Sequence, residues 1–217
     1  MANPLAVILG AGPGIGLAAA LRFRREGFRV AMVARPGDDL KGFGRALDGG
    51  LVLGADLAEG VPTAAIEAWG GPPRVLVYNA SAGAPGPAAE LTPEQVMRDL
   101  QVNVAAALAG ARWALPSMRG AGEGTLLFTG GGIGLKPQPG LASGSLGKAA
   151  LRSLALSFAA ELEPEGIHAA TVTVRGFVQA GTALSPEAVA ACFWDLHAQP
   201  RDRWERERVL PWDGPGT

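Results

Sequence analysis

The sequence predicts a doubly wound α/β fold, a single domain over residues 1–217 built on a parallel sheet, and three observations carry that expectation. Short, almost wholly apolar runs recur along the chain, stretches of helical length separate them, and a glycine cluster joins the first run to the first helix. Strands without a polar face need cover on both sides, which a parallel sheet between two helical layers supplies. Right-handed crossovers then fix the winding.

The elements follow in order. LAVILG at 5–10 reads as the first strand, and a helix over 14–26 comes after the glycines. RVAMVA at 29–34 precedes a helix over 38–47, and LVLGA at 51–55 precedes one over 63–69. VLVYN at 75–79 leads to a long helix over 92–119, where Thr92 before Pro93 and Glu94 has the form of an N-cap with proline at the first helical position. TLLFTG at 125–130 is followed by an alanine-rich helix over 141–163, and HAATVTV at 168–174 by Ser185-Pro186-Glu187, the same capping device. The tail WERERVLPW is expected to add a last edge strand.

With 48% hydrophobic and 18% charged residues in 217, the chain can bury a substantial core. The formal charge of −1 and the lack of a basic block argue against nucleic acid and anionic membrane as partners. RDRWERER at 201–208 mixes signs and reads as a solvated surface. Cys192 is alone, so neither an internal disulfide nor a multi-cysteine metal site is expected, and no metal ligand set is assigned. A short apolar start without a basic lead, and no run of about 18 apolar residues, point to a soluble, cytoplasmic protein.

Chemistry begins at Gly10-Ala11-Gly12-Pro13-Gly14-Ile15-Gly16, between the first strand and the first helix. Glycines there let backbone approach a pyrophosphate and aim helix N-terminal amides at it. At the end of the second strand such a fold meets the adenosine ribose, and an acid there favours NAD. Arg35 occupies that place, and a guanidinium suits a ribose 2′-phosphate, so NADP (NADPH) is favoured over NAD.

The spacing of Gly10, Gly14 and Gly16, Asp56-Leu57 after the third strand, Asn79-Ala80-Ser81 with Gly83 after the fourth, and Asn103 in the long helix together resemble the short-chain dehydrogenase/reductase family over nearly the whole chain. The resemblance implies a Rossmann-type fold in which Gly10, Gly14, Ile15 and Gly16 cradle the dinucleotide, Asp56 and Leu57 meet the adenine, and Asn79 and Ala80 lie along the cofactor. It implies that Asn103 helps hold a proton-relay water, and that Lys148, opening the helix after the fifth strand, holds the nicotinamide ribose. It also implies a homodimer or homotetramer through helices 92–119 and 141–163.

The chain departs from the family pattern where the reaction would occur. The family's catalytic tyrosine stands four residues before its lysine, a place held here by Gly144; its catalytic serine, about 13 residues earlier, aligns with Gly131. Tyr78 is the only tyrosine and reads as a packed strand-end aromatic, while His168 and His197 read as structural or exposed. Ser143, Ser145 and Thr129 offer the nearby hydroxyls. At the sixth-strand exit the family's proline is Arg175 and its nicotinamide-facing threonine is Ala180, with Thr182 two residues late. GTLLFTG, GIHAATVTV and the tail from Ser185 are similar to an atypical bacterial branch that shares FWxLHxQPRxxWxxE and tends to lack the tyrosine.

Two function classes follow. One is an NAD(P)-dependent oxidoreductase of weak or non-standard activity on an unidentified small molecule, with Asn103 and Lys148 left of the catalytic set; the other is a non-catalytic dinucleotide-binding or oligomer-partner protein.

Overall fold

The computed structural model describes residues 3–211. Strands β1 (Leu5–Leu9), β2 (Arg29–Ala34), β3 (Leu51–Gly54), β4 (Val75–Tyr78), β5 (Gly124–Gly131), β6 (Ile167–Val174) and β7 (Glu207–Leu210) form one sheet in the order β3-β2-β1-β4-β5-β6-β7. Every pairing is parallel. The order reverses between β1 and β4, so the crevice above their carboxyl ends is the place where such sheets take ligands.

Alternation along β1 shows how the two cores divide. Leu5, Val7 and Leu9 face one helical layer; Ala6 and Ile8 face the other. On the first side lie α3 (Thr63–Gly70), α5 (Ala106–Ala121) and α6 (Ala142–Leu162), with α4 (Pro93–Leu100) leading into α5. On the second lie α1 (Ile15–Arg25), α2 (Leu40–Leu47) and α7 (Pro186–His197). Small residues set the spacing: a Cβ at Gly110 of α5 would stand 2.8 Å from Leu9 Cδ1, so this helix rides close over β1.

The long helix expected over 92–119 is interrupted. Thr92 and Gln95 form a reciprocal capping box at its start, but residues Gln101–Ala105 widen into a π turn before α5 begins. Helix α2 starts at Leu40 rather than 38, because Asp39 turns back to accept from the Gly42 amide at 2.8 Å.

The charged run at 201–208 is exposed at Arg201, Asp202, Arg203 and Arg206, as a solvated surface should be, and it is also tied to the fold. Glu207 of β7 takes a forked ion pair from Arg152 of α6, at 2.5 Å, and a hydrogen bond from Thr173 at 2.6 Å. Arg208 pairs with Glu205, and Arg201 donates to the carbonyls of Glu163 and Pro164. These contacts fasten the edge strand instead of merely wetting it. No helix among the described residues is long and apolar enough to cross a membrane.

Both histidines are structural, and they sit at the amino ends of the strands, opposite the crevice. His197 bonds Thr125 at 2.8 Å within a nest of Phe23, Phe28 and Trp194, while His168 stacks on Trp204 at 4.7 Å and bonds the Glu205 carbonyl. Burial pushes both below the ordinary imidazole range, His197 to about 4, with Arg74 and His168 adding repulsion at His197. A histidine whose folded pKa is depressed leaves the unfolded chain binding more protons between the two values, so its contribution is complete above about 6.5 and is lost as pH falls toward 4. For His197 the loss is on the order of 3 kcal/mol. Urea unfolding at pH 7, 5.5 and 4.5 will show stability falling in this range, and His197→Gln will show a shallower slope.

Candidate dinucleotide site

The glycine loop is shaped by what its neighbours leave room for. Gly10 has φ +88°, and a Cβ on it would stand 2.2 Å from the Ala80 nitrogen, so β1 turns out of the sheet directly against the β4 exit. A Cβ at Gly16 would lie 2.7 Å from Ala11 Cα, which lets α1 start pressed on the loop. Gly12 and Gly14 have nothing within 4 Å of a Cβ position. Together they form a backbone cradle at a helix start that no side chain caps.

The cradle opens into a groove of about 1550 Å³ along the carboxyl ends of the strands. Of the residues expected at the site, Gly10, Gly14, Ile15, Gly16, Arg35, Asp56, Leu57, Asn79, Ala80 and Lys148 all line it. Asn103 does not. Its side-chain amide is buried and engages Ala82, accepting from the Ala82 amide at 3.0 Å and donating to the Ala82 carbonyl at 2.7 Å. Asn103 thus positions the 79–83 loop.

A string of hydrogen bonds crosses the floor. Asn79 donates to the Gly10 carbonyl at 2.8 Å and accepts from the Thr129 hydroxyl at 2.8 Å; the Thr129 carbonyl accepts from Lys148 Nζ at 2.9 Å. Lys148 is buried, and loss of solvent pulls its pKa down to about 8. An ammonium has three donors, so two remain beyond Thr129.

At the far side, Arg35 is 84% exposed and reaches Asp38 at 3.4 Å, while Asp38 also accepts from the Arg35 amide at 3.0 Å. Asp38 therefore serves the turn, as Asp39 serves α2. Asp56 caps its own turn by accepting from Ala58 at 2.9 Å.

Of the hydroxyls near the lysine, Ser143 and Thr129 are engaged by other partners. Ser143 donates to Asp99 at 2.5 Å, and Asp99 also accepts from the Ala84 amide at 2.6 Å. Ser145 is buried and does not line the groove, and Thr182 closes a turn with Gln179 and Leu184. Tyr78 is fully buried, its pKa raised by desolvation, and it donates to the Val102 carbonyl inside the π turn. Gly131 borders the groove beside the Lys148 stem, and a Cβ on Gly144 would meet only Ile133 Cδ1, at 3.4 Å. No acid stands at either position.

Three contributors escaped sequence reasoning: the π turn, Thr129 as the joint between Asn79 and Lys148, and Asp99. Asn103 in an otherwise helical stretch was the one available signal for the first.

A parallel sheet with this winding, a glycine cradle at its switch point and a buried lysine facing the groove defines a Rossmann-type dinucleotide fold. Residues 4–188 match the family model for short chain dehydrogenases. The chain is 32% identical over 201 residues to oxidoreductase asL5 of Sarocladium schorii, covering 89% of this chain and 79% of that one. It is 30% identical over 200 residues to the 2,5-dichloro-2,5-cyclohexadiene-1,4-diol dehydrogenase LinX of Sphingobium indicum, covering 87% and 79%. Among solved structures, a short-chain dehydrogenase from Rhodopseudomonas palustris superposes with TM-score 0.83 at 29% identity, over 98% and 100% of the chains. A metagenomic short-chain oxidoreductase in complex with NADP gives 0.81 at 25%, over 95% and 96%. The protein belongs to the short-chain dehydrogenase family, whose members are NAD(P)-dependent oxidoreductases.

Proposed function

We propose that this protein is a short-chain oxidoreductase that holds NADP(H) firmly and transfers hydride weakly. The observation that carries the reading is the Lys148 ammonium, fixed in the groove floor at 2.9 Å from the Thr129 carbonyl with the glycine cradle intact upstream. When bound, the dinucleotide supplies the hydride. The chain supplies the hold: the α1 amides and the backbone of Gly12 and Gly14 toward the pyrophosphate, Asp56 and Leu57 toward the adenine, and Lys148 toward the nicotinamide ribose. Arg35, at the end of β2, favours a 2′-phosphate over a bare ribose.

What the chain does not supply is an acid. A positioned general acid contributes about 10²- to 10⁴-fold, and an oxygen-binding hydroxyl roughly a further 10²-fold. Proximity to the dinucleotide still assists reduction of activated carbonyls. The alternative, a non-catalytic dinucleotide-binding subunit, draws on the same two glycines, Gly131 and Gly144.

Titration by calorimetry is expected to show saturable NADPH binding, about tenfold tighter than NADH, with Arg35→Gln removing the difference. Lys148→Met is expected to weaken binding and abolish any NADPH turnover. Tighter NADH binding reverses the cofactor preference, and saturation without turnover on a broad carbonyl panel selects the non-catalytic reading.

The space at Gly131 and Gly144 generates a second test. The flexible Lys148 stem is the nearest neighbour of a Cβ at Gly131, at 3.3 Å, and Ile133 Cδ1 of one at Gly144, at 3.4 Å, so a Cβ at either position needs at most small adjustments. Gly131→Ser with Gly144→Tyr is expected to raise carbonyl reduction by about 10²-fold or more. An unchanged rate with NADPH still bound would mean that the hydroxyls are not the missing part.

The homodimer or homotetramer through helices 92–119 and 141–163 is part of the same proposal. Met97 and Leu146 stand 65% and 52% exposed on α4 and α6, beside an apolar groove lined by Leu91, Val96 and Ala142. Light scattering is expected to give two or four copies; a monomer refutes it.

A further inference from the structure

The two ends of the groove differ in charge. Asp38 and Asp56 line the end above β2 and β3. The other end, at the exits of β5 and β6, is lined by Lys136, Lys148 and Arg175 and, among the described residues, by no carboxylate. Asp99 and Glu187 stand on neighbouring elements, but neither lines it, and Asp99 is engaged by Ser143 and the Ala84 amide.

Backbone geometry brings the three cations to one turn. Val174, the last residue of β6, pairs with Gly131, so Arg175 emerges beside Gly132: a Cβ there would stand 2.9 Å from Arg175 Cα and 3.3 Å from its Cγ. Lys136 closes the same turn from the other side, its amide donating to the Gly132 carbonyl at 2.9 Å. The stem of Lys148 passes Gly131, with its Cγ, Cδ and Cε 3.3–3.7 Å from a Cβ position. Arg175 and Lys136 have no ion pair among the described residues.

We propose that this end of the groove takes a 2-oxo carboxylate, with Arg175 and Lys136 on its carboxylate and its carbonyl against Gly131. The inference rests on the dinucleotide reading of the groove. A planar guanidinium fork matches a carboxylate, and the ammonium adds charge. The same carboxylate draws electrons from the adjacent carbonyl, which lessens dependence on the acid that Gly144 does not provide. The carbonyl carbon gains a hydride from the reduced dinucleotide and its oxygen gains a proton from water, giving a 2-hydroxy acid and the oxidised dinucleotide. Arg175 and Lys136 decide specificity; Lys148 also holds the ribose.

The probes are phenylglyoxylate and its methyl ester, titrated by calorimetry into protein saturated with NADP⁺ and then assayed with NADPH. The acid is expected to bind about tenfold tighter than the ester, with the gap narrowing between 0.05 and 0.5 M salt. Arg175→Gln is expected to erase the preference while keeping NADPH saturation, Arg175→Lys to keep part of it, and Arg45→Gln, on α2, to keep all of it. Equal or tighter binding of the ester, or an acid preference that survives Arg175→Gln, overturns the inference and leaves the dinucleotide reading standing. Failure of the unaltered protein to bind NADPH overturns both.

Discussion

Asn79 is the side chain on which the site's geometry turns. It stands where the sheet order reverses, and its amide has a donor and an acceptor in fixed relation, so it ties Gly10 at the end of β1 to Thr129 in β5 across β4. Thr129 then passes the constraint to Lys148 through its carbonyl. These side-chain bonds extend the strand ladders of β1, β4 and β5 past the strand ends and add α6 to them at the floor of the groove. Neighbouring glycines make this possible, since a side chain on Gly10 or Gly16 would force the loop off Asn79 and Ala80.

A second layer of support sits behind the first. The π turn at Gln101–Ala105 leaves its local carbonyls in need of partners, and the Val102 carbonyl takes the Tyr78 hydroxyl, while Asn103 grips Ala82 with both ends of its amide. Gly147 of α6 lets Asn103 fit: a Cβ there would stand 2.3 Å from its nitrogen. The sole tyrosine and the helical asparagine are therefore scaffold. Tyr78 ties β4 to the π turn, and Asn103 ties that turn to the 79–83 loop.

Strands and helices were legible because burial on both faces writes itself into composition: β1, β4 and β6 have no exposed residue, and their sequences have no charged one. The cradle was legible because glycine is the only residue the close approach admits. Less legible were features that depend on partners far apart in the chain. Thr129 looks like an ordinary strand threonine until β4 brings Asn79 beside it, and Glu207 looks like one more surface charge until α6 presents Arg152. The π turn has no period of its own to read, being one extra residue in a helical pattern.

The persistence of Lys148 without its usual hydroxyl partners has a physical consequence. A buried ammonium with one carbonyl partner is undersolvated, which is why its pKa falls to about 8, and the deficit is relieved by any ligand that brings oxygen atoms to its two remaining donors. Binding and protonation are then coupled: a ribose or carboxylate settled on Lys148 favours the charged form, and the charged form favours the ligand. In a site equipped with a tyrosine, part of that electrostatic advantage would lower the phenol's pKa. Among the described residues no phenol lines the groove beside Lys148, so a ligand there would meet its two remaining donors undivided.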